Sequence, residues 1–182
     1  MSPILGIIAS SRLAAVGDFQ SIATVSVGSG GAADVEFTSI PGTYTHLQIR
    51  GILRDTYTST QPALTLQING SNIDRNHNLI GDGSSATAYT GTAGYISHST
   101  GGNAGANMFS GIIIDILDYA NTNKYRTIRA LSGGDRNGSG FIELCSGLEQ
   151  STSAVTSITL EPTATFAFAQ YSHFALYGIK GA

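Results

Sequence analysis

Charge is scarce in this sequence: Asp, Glu, Lys and Arg together make up 12% of 182 residues, about half the usual share of roughly 25%. The formal net charge is −3, and the nine Lys and Arg residues are scattered. No basic stripe forms, so the electrostatic footprint that nucleic acid requires is missing and binding to DNA or RNA is not expected. Tryptophan is absent altogether, which removes the broadest aromatic face for stacking on a ligand. Cysteine occurs once, as Cys145. A single cysteine makes no internal disulfide, and its place in the alternating run Phe141-Ile142-Glu143-Leu144-Cys145 reads as a small buried side chain rather than a reactive thiol. No transmembrane span is present, so no membrane partner is expected. The opening Met1-Ser2-Pro3-Ile4-Leu5-Gly6-Ile7-Ile8-Ala9 imitates a signal h-region, but it has no basic n-region and its apolar run is short. We read it instead as an apolar arm.

What replaces charge is Gly, Ser and Thr in a chain that is still 41% hydrophobic. Apolar and polar residues alternate with period two from Ile22 onwards, the signature of half-buried strands. The pattern predicts strands over 22–27 and 34–38, joined as a hairpin by the flexible Gly28-Ser29-Gly30-Gly31. It predicts another over 46–54, with Leu47, Ile49 and Leu53 in the core and Gly51 marking a bulge or register change. Residues 63–68 form a clean strand ended by the turn signal Asn69-Gly70. From 71 to 107 the pattern breaks into a long loop-like region with one or two short strands near Leu79 and Tyr95. Alternation resumes over 108–117, where Ile112-Ile113-Ile114 implies burial on both faces. Further strands are expected over 125–131, 141–148, 155–160 and 166–179, with Asn137-Gly138 as a second tight turn. No window sustains helical spacing. The expected fold is all-β, a two-sheet antiparallel sandwich arranged as a jelly roll, spanning 19–182 behind an extended N-terminal arm over 1–18.

Residues suited to catalysis do not converge in the pattern. His46, His77, His98 and His173 show no spacing that would put two metal ligands on one face, although a fold could bring His46 and His173 together. Asp115 and Asp118 lie three apart, on opposite faces of an extended chain, and suit ion pairs with Arg126 or Arg129 better than paired-carboxylate hydrolysis. The stretch Gly134-Asp135-Arg136-Asn137-Gly138-Ser139-Gly140 lacks the alternating carboxylates and closing Glu of a calcium loop and reads as a hairpin. The glycines at 28–31 and 101–102 precede no helix that could hold a phosphate, and no GxSxG elbow occurs. No catalytic residue, metal or cofactor is expected. Tyr57, Tyr89 and Tyr95 lie in or near polar loops, where they are either packing residues with a wet hydroxyl or platforms for a sugar ring.

The arm carries Pro3, Ile4, Leu5, Ile7 and Ile8. Each of its four aliphatic side chains gains about 1.5–3 kcal/mol on full burial. Two resting places suit it: an extra edge strand on its own sandwich, or a docking site on another protein, where several arms of an oligomer engage at once.

Several stretches resemble small virion-structural sandwich proteins of tailed phages, including phages of cyanobacteria. They are the opening 2–11, Tyr44-Thr45-His46-Leu47-Gln48-Ile49-Arg50-Gly51, Asn121-Thr122-Asn123-Lys124-Tyr125-Arg126-Thr127, 151–160, and Phe168-Ala169-Gln170-Tyr171-Ser172-His173-Phe174-Ala175-Leu176-Tyr177-Gly178-Ile179. The resemblance covers nearly the whole chain, in strands and turns rather than catalytic motifs. It implies a non-enzymatic, homotrimeric module on the outer surface of the virion. Such a module decorates or cements the shell by binding the major capsid protein, here through Pro3, Ile4, Leu5, Ile7 and Ile8. Its alternative is a receptor- or carbohydrate-binding tip of a head or tail fibre, in which Tyr57, Tyr89 and Tyr95 touch the glycan.

Overall fold

A computed structural model describes residues 17–163 and 165–181, all strand, turn and loop with no helix among them. The expected arm over 1–18 therefore lies outside the described residues, apart from Gly17 and Asp18. The strands are β1 (Phe19–Ser26), β2 (Val35–Phe37), β3 (His46–Leu53), β4 (Ala63–Ile68), β5 (Ser71–Asn72), β6 (Arg75–Gly81), β7 (Ala86–Gly91), β8 (Tyr95–His98), β9 (Ser110–Ile116), β10 (Arg126–Asp135), β11 (Gly140–Glu149), β12 (Ile158–Glu161) and β13 (His173–Ile179). Eight of them form one sheet in the order β1-β13-β3-β9-β10-β11-β6-β7, and five form a second, β2-β12-β4-β5 with β8 also paired to β4. The two antiparallel sheets pack face to face as a sandwich. Jelly-roll connectivity is a finer description than this strand order establishes.

Period-two alternation does what the sequence implies along most of the large sheet. Leu47, Ile49 and Leu53 of β3, Ile112, Ile114 and Ile116 of β9, and Phe174 and Leu176 of β13 point inward and are buried. They meet Val35 and Phe37 of β2, Leu64, Leu66 and Ile68 of β4, and Ile158 and Leu160 of β12 in one cluster. Cys145 is buried there too, and burial pushes its thiol up to about 12. Asn69-Gly70 and Asn137-Gly138 are both left-handed at each residue, the backbone that a two-residue hairpin turn demands.

Several local expectations are corrected. The 28–31 segment is no hairpin: β1 pairs with β13 and β2 with β12, so the chain crosses here from one sheet to the other. Gly51 marks no bulge, since β3 runs in unbroken register with both neighbours. It is glycine because the Phe174 ring lies over it, where an added Cβ would come within 2.9 Å of a ring carbon. The 71–107 region holds four strands, β5 to β8, rather than one or two. The last two strands begin later than predicted, at Ile158 and His173. Ile113 is not buried between Ile112 and Ile114 but faces outward.

Candidate functional site

At Leu131 and Ser132 of β10, Ile142 to Leu144 of β11 and Asn76 to Leu79 of β6 the usual polarity of a sandwich is locally reversed. β11 turns Phe141, Glu143 and Cys145 inward and leaves Ile142 and Leu144 outside. β6 buries Asn76 and Asn78 and exposes Leu79; β10 buries Ser132 and exposes Leu131. Two sets of inward polar groups accompany the reversal: Asn76 and Asn78 bond each other and the backbone of Gly91 and Thr92, and a second set lies beneath β8.

The centre of the set beneath β8 is the Glu143 carboxylate, almost fully buried. Its Oε1 accepts from the Tyr89 hydroxyl at 2.5 Å and from the Tyr95 hydroxyl at 2.6 Å. Its Oε2 accepts from the His98 backbone N–H at 3.0 Å and faces His98 Nδ1 at 2.9 Å. An ionised carboxylate only accepts, so Nδ1 carries the imidazole proton and donates it. The hydroxyls of Tyr89 and Tyr95 are also 2.7 Å apart, and Ser97 bonds Ser132 close by. Burial alone would raise the Glu143 carboxyl, but the bonds from His98, Tyr89 and Tyr95 together outweigh it and hold the group below its usual range. Burial, reinforced by the Glu143 charge, drives both tyrosine hydroxyls well above theirs. With four donors on two oxygens the carboxylate has no lone pair directed at a ligand. What the cluster does is tie β7, β8 and β11 together.

The sequence-predicted positions are dispersed by this arrangement. Tyr89 and Tyr95 come together but turn their hydroxyls inward, and Tyr95 is buried. Tyr57 stands apart, half-buried, with its ring edge-on to Phe166 at 4.7 Å between centroids. Pro3, Ile4, Leu5, Ile7 and Ile8 lie outside the described residues. His46 and His173 sit on adjacent strands but at opposite ends, since His173 pairs with Ile52 and His46 with Ile179. Among the described residues no group of three or more His, Cys, Asp and Glu is placed to hold a metal ion. Asp115 faces Arg129 across the ladder and accepts from Gln48 at 2.7 Å, whereas Asp118 pairs with Lys124. Arg126 takes neither aspartate as partner: it is buried against Glu149, which is pushed up by burial more than Arg126 pulls it down. Two residues that the pattern left unmarked hold loops in place. Arg54 donates to the carbonyls of Gly102, Ala104, Gly105 and Met108, and buried Asp55 accepts from the backbone N–H groups of Tyr57 and Thr163.

The other consequence of the reversal is an apolar outer face on the eight-stranded sheet. Ile113, Leu131, Leu144 and Leu79 stand directly opposite one another on β9, β10, β11 and β6, and form one ridge across four strands. All four are between 37 and 52% exposed. Two residues along each strand lies a second row, Ile52-Gly111-Gly133-Ile142-Gly81, in which the glycines form a trough interrupted by the exposed Ile52 and Ile142. The trough and its flanks make an open groove of about 940 Å³, lined by Ile113, Leu131, Ile142 and the glycines. Its polar rim is already engaged. Arg50 donates to Gln48 and lies over the rings of Phe19 and Tyr177, Asp82 accepts from the N–H groups of Ser84 and Ser85, and Asp135 accepts from that of Asn137. A surface of this kind suits apolar side chains of another protein better than a polar small molecule.

No family profile, curated protein or solved structure matches the chain.

Proposed function

We propose that this chain is a non-enzymatic structural protein of a tailed-phage particle, which decorates or cements the capsid shell by binding the major capsid protein. The observation that carries the reading is the reversed polarity of β10, β11 and β6. Placing Glu143 inside and Leu131, Leu144 and Leu79 outside costs a monomer solvation on both faces, and makes sense in a protein that spends its working life in contact with other proteins. The low charge supports the same reading, as does the resemblance of the 2–11, 44–51, 121–127, 151–160 and 168–179 segments to virion sandwich proteins. The apolar residues Pro3, Ile4, Leu5, Ile7 and Ile8 supply the shell anchor. Binding only the assembled lattice stabilises that lattice by mass action.

Co-sedimentation with empty capsids of the parent phage tests this, with the full chain and a version lacking 1–16. Saturable binding by the full chain, lost on truncation, is the expected result. No binding by either version overturns the reading and turns attention to a fibre tip, for which glycan arrays are the next measurement.

A further inference from the structure

Glycine within a strand is costly unless something needs the space. It loses more backbone entropy than any other residue, and it gives the sheet no side chain to pack. Gly51 has its reason inside the fold, as does Gly147, against which Ile73 and Ile128 pack. Gly111 has none: a Cβ there would meet nothing within 4 Å. Gly81 is nearly as free, with its nearest neighbours in ordinary contact at 3.5 and 3.8 Å. Neither has a left-handed backbone. Nothing among the described residues accounts for either.

The arrangement of the two rows supplies a reason. On three strands an exposed aliphatic residue stands two positions from an outward glycine: Ile113 and Gly111 on β9, Leu131 and Gly133 on β10, Leu79 and Gly81 on β6. The rows are parallel and about 6.8 Å apart along the strands. Consider a two-fold axis lying in the face and running across the strands, level with the inward pair Ile112 and Ser132. Rotation about it exchanges the two rows while leaving every strand above its own counterpart. A second copy then sets its Ile113 over Gly111, its Leu131 over Gly133 and its Leu79 over Gly81, and receives the same three contacts in return. On β11 the exchange sets Leu144 against Ile142, and on β3 it sets Arg50 against Ile52. This self-complementarity is what an isologous contact requires and what a contact with an unrelated protein would match only by chance.

We infer that two copies of this chain pack face to face through the outer surface of the eight-stranded sheet, ridge into trough. The inference rests on reading the outer face as a protein contact surface, and goes beyond shell binding in naming the partner as a second copy. The size is sufficient. Six strands from β3 to β7, spaced about 4.8 Å apart and about seven residues long, present roughly 700 Å², close to the ~800 Å² per partner of a standard interface. The contact makes pairs, and is separate from the three-fold association that the resemblance implies.

Sedimentation equilibrium of the full chain, with Gly111→Leu and Leu131→Asp, tests it. Wild type is expected to pair at micromolar concentration. Gly111→Leu places its Cβ in open space, so its circular dichroism stays native and the isolated chain is no less stable, while its self-association weakens at least tenfold. Leu131→Asp should leave a monomer. A wild-type chain that stays monomeric at 100 μM, or trimers unaffected by Gly111→Leu, would overturn the inference. So would association lost on removing 1–16 and kept in Gly111→Leu, which would assign the contact to the arm. Capsid co-sedimentation of the same variants separates the two proposals. Pairing lost with shell binding kept means that the face serves a second copy. A monomeric wild type whose shell binding is abolished by Gly111→Leu gives the face to the shell instead.

Discussion

Truncating Glu143 to alanine is the sharpest probe of the reversed core. The substitution removes four hydrogen bonds at once, two from tyrosine hydroxyls and two from His98. The hydroxyls retain each other, and Tyr95 retains His98 Nδ1 at 2.7 Å, so these groups keep partners. The His98 backbone N–H has no substitute, and an orphaned buried donor costs about 1–3 kcal/mol. The void left by the carboxymethyl group adds about 1–2 kcal/mol of lost packing. The total is about 2–5 kcal/mol, or a fall in Tm of roughly 4–20 °C for a domain of this size. Glu143→Gln keeps the volume and one acceptor oxygen, while the hydroxyls can reorient to accept from its amide. Its cost should be about 1–2 kcal/mol. Urea unfolding followed by circular dichroism measures both. If alanine cost no more than glutamine, the network would not be what holds β8 against β11, and the explanation of the exposed Leu131 and Leu144 would fall with it.

Other outcomes follow from the same contacts. Glu143 is held below its unfolded value of about 4.3, so its stabilisation is complete above that pH and lost as pH falls through the lower folded value. The stability gap between wild type and Glu143→Gln should therefore narrow between pH 5 and 3, whereas Asp55 and Glu149, raised by burial, act in the opposite sense in both proteins. Tyr89 and Tyr95 are raised above the unfolded value of about 10, so the stability they contribute is lost as pH climbs beyond it. Absorbance at 295 nm should show these two hydroxyls ionising only as the chain unfolds. Arg126→Ala leaves Glu149 buried without its partner and should cost about 3–5 kcal/mol in denaturant unfolding. Gly111→Val and Gly51→Ala make a matched pair: the first should stabilise the isolated chain by about 0.5–1 kcal/mol, the second should destabilise it because the Phe174 ring must move.

Much of the sandwich was legible because a period of two survives any tertiary arrangement. Leu47, Ile49 and Leu53 could be placed inside from their spacing alone, and Asn137-Gly138 announced its own turn. Pairing was not legible. Gly28 to Gly31 looks the same whether the chain folds back or crosses between sheets, and the partner of β1 lies some 150 residues away. Inside and outside were also ambiguous wherever both faces of a strand carried apolar residues. In Phe141-Ile142-Glu143-Leu144-Cys145 the alternation is plain, yet which set faces the core depends on Tyr89, Tyr95 and His98, three residues from other strands. The run of apolar residues at 112, 113 and 114 implies a buried Ile113, which the structure instead turns outward. Among the described residues nothing covers it.

The position of β13 bears on how the protein is made. The last strand does not finish the sheet at an edge but wedges between β1 and β3, and the N–H of Lys180 bonds the carbonyl of Asp18 at 2.8 Å. During synthesis β1 emerges first and waits, unpaired on both sides, until the segment carrying Phe174 and Leu176 leaves the ribosome. Closure therefore links residues at opposite ends of the sequence, a high-contact-order step expected in milliseconds to seconds. Until it occurs, the open edges of β1 and β3 are templates for the wrong neighbour. Loss of the last ten residues would thus cost the large sheet β1 as well as β13, since β1 has no other partner among the described strands.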